Sequence, residues 1–438
     1  MTRSPAHALF AALVSVALGA AACGSSSPAA TPDAGAEAAP AADAAVPDDA
    51  LGADAGGDAR GDGGAAGDGG AWSVVVVDEQ PKFKSRAAIA MAADGTVHLA
   101  YNLATSADGW GTPSVWYARG QGDSFTRTEV APANAVSNEY PVIVLDGQGA
   151  PVIVYNRYDA AADRVDLWAV RGDGAGGFVA PLDLTAAGGV DAYAPSAAAA
   201  ADGTVHVVYQ QRVGTGGAAT YSLGYVTLAA GVAGPPATIA PVTAGFSLDP
   251  DYDVAVAPDG AVHVVYCQPG TGGLNNVLYH TVRAGGTWSA AQPLTPADQD
   301  VWGPSLAVDG TGAAHLAWVE GPDWSTKTLH YARRTGGTWL TPQPLGASIE
   351  DRDYYLGLAV EPAGTVHLAF TRFYGGNADV LYLTGAAGVF AGEVRLTTTA
   401  DGDESAPAVA VAGGHLAVSY VENLAAAPAG KLYLARPR

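Results

Sequence analysis

Cysteine is almost missing from this chain. Its 438 residues include only two, too few for a disulfide scaffold or a Cys-rich zinc site. Basic residues are scarce as well. Lys and Arg number 21 against 43 Asp and Glu, a formal net charge of −22. Such a chain lacks the positive footprint that nucleic acid requires and is repelled by anionic lipid. Beyond residue 22 no apolar run approaches the ~18 residues of a membrane-spanning helix. The sequence also has no nucleophile elbow, phosphate-binding Gly loop, HExxH or Ca²⁺ loop. Gly (57) and Pro (28) are abundant instead, in a chain that is 49% hydrophobic. At about 150 residues per domain, the length fits two or three ordinary domains or one large all-β domain.

Residues 1–22 read as an export signal. Arg3 supplies positive charge, Leu9 to Ala22 is apolar, and small residues precede Cys23. The run is too short to span a bilayer comfortably but fits the apolar segment of a signal peptide. Cleavage before Cys23 leaves a thiol for a diacylglycerol, so the segment resembles a bacterial lipoprotein signal. It departs from that pattern in carrying Ala through Ala20-Ala21-Ala22, where such signals usually have a Leu. The alternative is a plain secretory signal cut after one of these alanines. Residues 23–71 then comprise the lipid-attachment Cys and a low-complexity stretch of Ala, Gly, Asp, Pro and Ser. It carries nine acidic residues against the single Arg60. This segment cannot bury enough apolar surface to offset its ordering entropy and is expected to be a disordered tether.

From Trp72 onward the chain repeats. One phrase recurs as ADGTVHLAYN, GQGAPVIVYN, ADGTVHVVYQ, PDGAVHVVYC, GTGAAHLAWV, PAGTVHLAFT and a looser AGGHLAVSYV. Its closing aromatics are Tyr101, Tyr155, Tyr209, Tyr266, Trp318, Phe370 and Tyr420, which mark seven units of about fifty residues. Each unit holds four short apolar or alternating runs divided by Gly, Pro and Asp, which read as strands a to d. Four strands per unit of this length is the signature of a β-propeller blade. The seventh unit ends at Arg438 after strand c. Its fourth strand is supplied by Trp72 to Val77, which begins with Trp like the d strands TWSAAQPL and TWLTPQPL. The reading is therefore an all-β, seven-bladed propeller over residues 72–438, with four antiparallel strands per blade. An N-terminal strand d pairs with C-terminal strands a–c and closes the ring, removing free sheet edges.

The phrase order PSxAVDxxGxxHLAY, LxYARxxGGTW, PxPLT resembles the blade repeat of sialidase-like (BNR-repeat) propellers across residues 72–438. The family's Asp-box, Ser-x-Asp-x-Gly-x-x-Trp, is half present. Arg283 to Trp288 and Arg334 to Trp339 keep the Gly and Trp but neither the Ser nor the Asp. Sialidases also carry a catalytic Arg at the start of the first blade. In Phe83-Lys84-Ser85-Arg86 the repeat register puts Ser85 in that slot. The catalytic pattern is unmet, and no catalytic residue is assigned.

In this family the b–c loops and d–a connectors share one face, at the mouth of the central channel, where ligand sites favour converging loops. The connectors are acidic and end in an aromatic: Asn138-Glu139-Tyr140, Asp191-Ala192-Tyr193, Asp251-Tyr252, Asp300-Val301-Trp302 and Asp353-Tyr354. The b–c loops carry Arg157, Arg212 and Arg372, with Tyr158, Phe373 and Tyr374 beside them. As a site, Tyr193, Trp302 and Tyr354 are a stacking floor for a sugar. Asp191 and Asp300 are acceptors, and Arg157, Arg212 and Arg372 are donors. As scaffold, the Asp caps backbone N–H groups and the aromatic packs where the strand starts.

His98, His206, His263, His315 and His367 share one strand b position in five blades. Facing sheets lie about 10 Å apart and Zn–N bonds are about 2 Å, so these residues cannot share an ion. They are read as buried, hydrogen-bonded packing residues. Cys267 reads as a small buried hydrophobe. No cofactor or metal is implied.

Together these features describe an exported propeller, lipid-anchored in the bacterial envelope at the outer membrane or cell surface, or else secreted. It is expected to be a monomer and a non-catalytic binding module, with a glycan as the favoured ligand class. Two alternatives stand beside it. One is a glycan-active enzyme, either a glycosidase using paired carboxylates or a lyase using Tyr or His with Arg. The other is an envelope protein-interaction scaffold. The anchor is directly testable: in a bacterial host that lipidates exported proteins, Cys23→Ser should move the protein from the membrane to the soluble fraction. Unchanged membrane association of the variant would refute the anchor.

Overall fold

The computed structural model describes residues 71–80, 87–103, 112–133, 138–159, 163–214, 219–242, 251–269, 276–296, 298–323, 326–346, 356–374, 377–398, 403–423 and 430–438. The signal, Cys23, the tether before Ala71, Ser85, Asp353 and Tyr354 lie outside the described residues.

The described residues are all-β, with no helix among them, and form seven antiparallel sheets. Blade 1 is Ala88–Met91, Val97–Leu103, Ser114–Gln121 and Ser124–Ala131. Blade 2 is Asn138–Leu145, Pro151–Asp159, Arg164–Arg171 and Leu182–Asp183. Blade 3 is Asp191–Ala199, Val205–Val213, Thr220–Ala229 and a split outer strand, Val232–Ala233 with Ala237–Val242. Blade 4 is Tyr252–Val256, Val262–Pro269, Asn276–Ala284 and Thr287–Trp288 with Gln292–Pro293. Blade 5 is Asp300–Val308, Ala314–Asp323, Thr326–Thr335 and Thr338–Trp339 with Gln343–Pro344. Blade 6 is Gly357–Val360, Thr365–Tyr374, Asn377–Ala386 and Val389–Phe390 with Val394–Arg395. Blade 7 is Asp403–Ala412, His415–Asn423, Gly430–Pro437 and the N-terminal Trp72–Gln80.

Local chemistry sets the turns. The a–b hairpins are Asx turns: Asp94, Asp146, Asp202, Asp259 and Asp309 each accept the backbone N–H two residues on, at 2.8–3.0 Å. The c–d hairpins of blades 4 and 5 turn on Gly285-Gly286 and Gly336-Gly337, whose φ values of 57°, 88°, 56° and 85° are what a type I′ turn demands. Strands a of successive blades touch in a closed circuit, blade 7 meeting blade 1, so strand a is innermost and strand d outermost.

The seams between blades repeat one arrangement. His98, His206, His315 and His367 hydrogen-bond through Nδ1 to the hydroxyls of Tyr117, Tyr225, Tyr331 and Tyr382 on their own strand c, at 2.6–2.7 Å. In blade 4 the partner is His280, 3.2 Å from His263. Each strand c ring then meets an aromatic from the next blade edge-on, at 5.0–5.2 Å. The pairs are Tyr117–Phe178, Tyr225–Trp288, His280–Trp339, Tyr331–Phe390 and Tyr382–Trp72. The histidines are thus packing residues, and burial holds His98 and His263 neutral, with pKa values near 4. The surviving Gly and Trp of the half Asp-box are explained as well. Gly makes the turn, and Trp288 and Trp339 pack on the preceding blade.

Closure takes the expected form but extends further. Trp72 to Gln80 pairs antiparallel with Pro437 to Gly430, and Arg438 N–H donates to Ala71 at 3.0 Å. A bulge between Val76 and Asp78 turns the buried Asp78 carboxylate inward. There it accepts the Tyr101 hydroxyl at 2.7 Å and pairs with Arg127, both from blade 1. Deleting Gly24 to Gly70 should leave the thermal midpoint nearly unchanged. Deleting Gly24 to Gln80 should open blade 7, remove Trp72 and Asp78 from two seams, and give aggregation or a large loss of stability. Equal melts of the two truncations would overturn this closure.

Candidate functional site

The end of the ring that carries the strand a starts also carries the ends of strands b. Asp191, Tyr193, Asp300 and Trp302 lie within strands a, and Arg157, Arg212 and Arg372 within strands b. The sequence reading put them in connectors and loops. The strands run further than expected because these residues pair with one another across the sheet: Asp191 with Arg212, Trp302 with Val319, Asn138 with Arg157.

A bulge shapes the start of strand a in blades 2, 3, 5 and 7. The residue before Pro141, Pro195, Pro304 and Pro407 is left-handed: Tyr140 (φ 52°), Ala194 (47°), Gly303 (54°) and Ala406 (53°). Tyr140 therefore does not match Tyr193 and Trp302, and Glu139 holds their place in blade 2. The repeat spacing could not show this, because the connector there is one residue shorter. Asn side chains hold the bulge in blades 2 and 3. Asn102 Oδ1 accepts Tyr140 N–H at 3.0 Å, and Asn156 Oδ1 accepts Ala194 N–H at 2.9 Å. Both directly follow a closing aromatic, which is the sequence signal for this cap. In blade 4 the Tyr252 hydroxyl crosses to the backbone of blade 3, accepting from Gln210 N–H at 2.9 Å.

The carboxylates behave as caps. Asp191 Oδ1 accepts Val165 N–H at 3.1 Å, and Asp300 Oδ1 accepts Asn276 N–H at 2.8 Å, each from strand c of the preceding blade. Burial raises the Asp300 pKa against these hydrogen bonds. Trp302 is 4% exposed, with the buried Lys327 ammonium 5.1 Å from its ring centre. It packs with Leu356, Leu358 and Phe370 of blade 6. Tyr193 is also buried, against Val165 and Tyr158 of blade 2. Burial and then Asp191 raise its phenol pKa, while Arg212 opposes them.

The three arginines do not converge. Arg157 lies over the Trp168 ring at 4.5 Å, and Arg372 is held by Glu393 through two contacts, one of 2.7 Å. Only Arg212 joins other candidates. Its Nη1 stands 3.8 Å from Asp191 Oδ2, beyond hydrogen-bond reach, and both side chains keep a fifth of their surface exposed. Asp191, Tyr193 and Arg212 are thus the predicted residues that the structure gathers, in blade 3. Cys267 is buried, and burial followed by Asp251 and Asp300 pushes its thiol pKa up. Among the described residues no group of three or more His, Cys, Asp or Glu is placed to hold a metal ion.

No protein-family model matches the chain, and no curated protein matches it. Solved structures do. An ulvan lyase, from a new family of polysaccharide lyases and bound to -[GlcA(1-4)Rha3S]-, superposes with a TM-score of 0.52 at 11% identity, covering 80% of this chain and 94% of its own. A protein of unknown function from Dyadobacter fermentans superposes at 0.53 and 13% identity, covering 84% and 100%. A Trypanosoma rangeli sialidase in complex with the inhibitor DANA gives 0.47 at 13% identity, covering 83% and 59%. The fold is a seven-bladed β-propeller.

The depth of Trp302 has a measurable consequence. Trp302→Ala should cost about 3–5 kcal/mol, as for other large core aromatics cut to Ala, and lower the thermal midpoint accordingly. A variant that melts like the parent would place Trp302 outside the core.

Proposed function

We propose that this protein binds a glycan at the upper mouth of the propeller without transforming it. One observation carries the reading: the partly exposed Asp191–Arg212 pair beside the Tyr193 ring. The guanidinium meets the Tyr193 hydroxyl and stands 3.8 Å from Asp191, with a fifth of its side chain still exposed. A sugar offers vicinal hydroxyls or an acidic group to such a fork, while its hydroxyl hydrogens donate to a carboxylate. The unmet sialidase pattern at Ser85 and the use of Asp191 and Asp300 as backbone caps support binding rather than catalysis. Exposure of such a module outside the cell is consistent with the export signal, and Cys23 is the proposed point of lipid attachment.

A second reading, a glycan-active enzyme, is favoured by the likeness in fold to the ulvan lyase over 80% of this chain and 94% of its own. Screening the protein on a glycan array and incubating hits for product separates the two. Binding without new unsaturated or reducing ends supports a module, and either kind of new end supports an enzyme. Arg212→Ala should weaken binding of an array hit on the order of tenfold, the loss of a charge-assisted hydrogen bond, with an unchanged melt. Undiminished binding by Arg212→Ala would move the site elsewhere.

A further inference from the structure

Blade 6 carries an aromatic surface that the mouth does not use. Tyr374 ends strand b, and the residue is 37% exposed. The Arg395 guanidinium lies 4.2 Å from the ring centre, and its Nη2 is anchored on Asp379, which is fully buried. Thr397 Oγ1 donates to the same carboxylate at 3.2 Å. The Tyr374 hydroxyl accepts Arg372 Nη1–H at 3.4 Å, and Arg372 is itself fixed on Glu393. The ring is therefore held from beneath and at its tip, while part of its surface meets water.

Blade 2 shows that the blade does not require this ring. Arg157 and Asp166 pair there as Arg372 and Asp379 do, and Thr185 meets Asp166 as Thr397 meets Asp379. Counting on from those pairs, Tyr158 matches Phe373, and the place of Tyr374 is held in blade 2 by Asp159, opposite Arg164 as Tyr374 is opposite Asn377. The position therefore need not be aromatic, yet in blade 6 it leaves apolar surface in water. A rigid aromatic face flanked by an accessible carboxylate, with Glu393 29% exposed, is the chemistry that stacks on the C–H face of a pyranose and accepts its hydroxyls.

We propose that Tyr374, with Arg395 and Glu393, is a second glycan-contact platform on the outer rim of blade 6, holding a sugar unit of a polymer bound elsewhere on the molecule. The inference rests on the glycan reading above and adds a station that short oligosaccharides at the mouth do not reach. Its test is retardation of the full chain in native gels cast with hydroxyethylcellulose, dextran, pectin or alginate. Tyr374→Ala should weaken retention by a retarding polymer on the order of tenfold, the effect of one lost stacking contact. Tyr374→Trp should retain it, and both variants should melt like the parent. Retention of Tyr374→Ala equal to the parent's would overturn the platform and leave the mouth reading standing. A parent chain retarded by none of the four polymers would overturn both.

Discussion

A propeller is held by its seams, since among the described residues no strand ladder runs from one blade into the next. Here five of the seven seams rest on one device. A strand c ring is fixed by a histidine behind it and meets an aromatic edge from the following blade. The histidine hydrogen bond sets where the tyrosine ring sits, and that ring sets how closely the next sheet can approach. Burial makes the device work only with neutral histidine, which is why the imidazole pKa values are driven down. The geometry of the mouth depends on this spacing, because in blades 3 and 5 strand a starts against strand c of the blade before it.

Closure obeys the same rule with one addition. Trp72 is to blade 6 what Trp288 and Trp339 are to blades 3 and 4, so the N-terminal strand enters the ring as an ordinary member of the series. The seam from blade 7 to blade 1 lacks the histidine and uses a carboxylate instead: Asp78 between Tyr101 and Arg127. Such a buried carboxylate is tolerated only because it is both paired and hydrogen-bonded. It sits past a bulge, where strand alternation no longer predicts which side chains face inward.

That contrast marks how much the sequence discloses. Blade number, strand order and closure are legible because the repeat recurs seven times, and turn residues recur with it. The equivalence of Trp72 to the later tryptophans could be read from its place at the start of the strand. Bulges could not. A single left-handed residue before Pro displaced Tyr140 from the series to which its sequence neighbours assigned it. Nor could depth be read, since Trp302 occupies a position that faces either the channel or the next blade according to that same bulge. The arginines, alike in sequence offset, diverge because Arg157 and Arg372 share the parity of the closing aromatic and Arg212 does not.

This parity has a functional consequence. Side chains an even step beyond the closing aromatic turn towards the preceding blade, where a guanidinium finds an aromatic or carboxylate partner within the seam. Arg212 stands an odd step beyond it and directly opposite Asp191 of strand a, which brings the two together. A repeat protein evolving a ligand site on such a scaffold cannot simply exchange residues at the seam positions, because each exchange loosens two blades. The freer positions are those at the last cross-strand pairs of strand b, at the mouth end. Arg212, opposite Asp191, and Tyr374, opposite Asn377, are of this kind. Both lie at the strand ends, where the periodicity that fixes the ring stops constraining the side chains it displays.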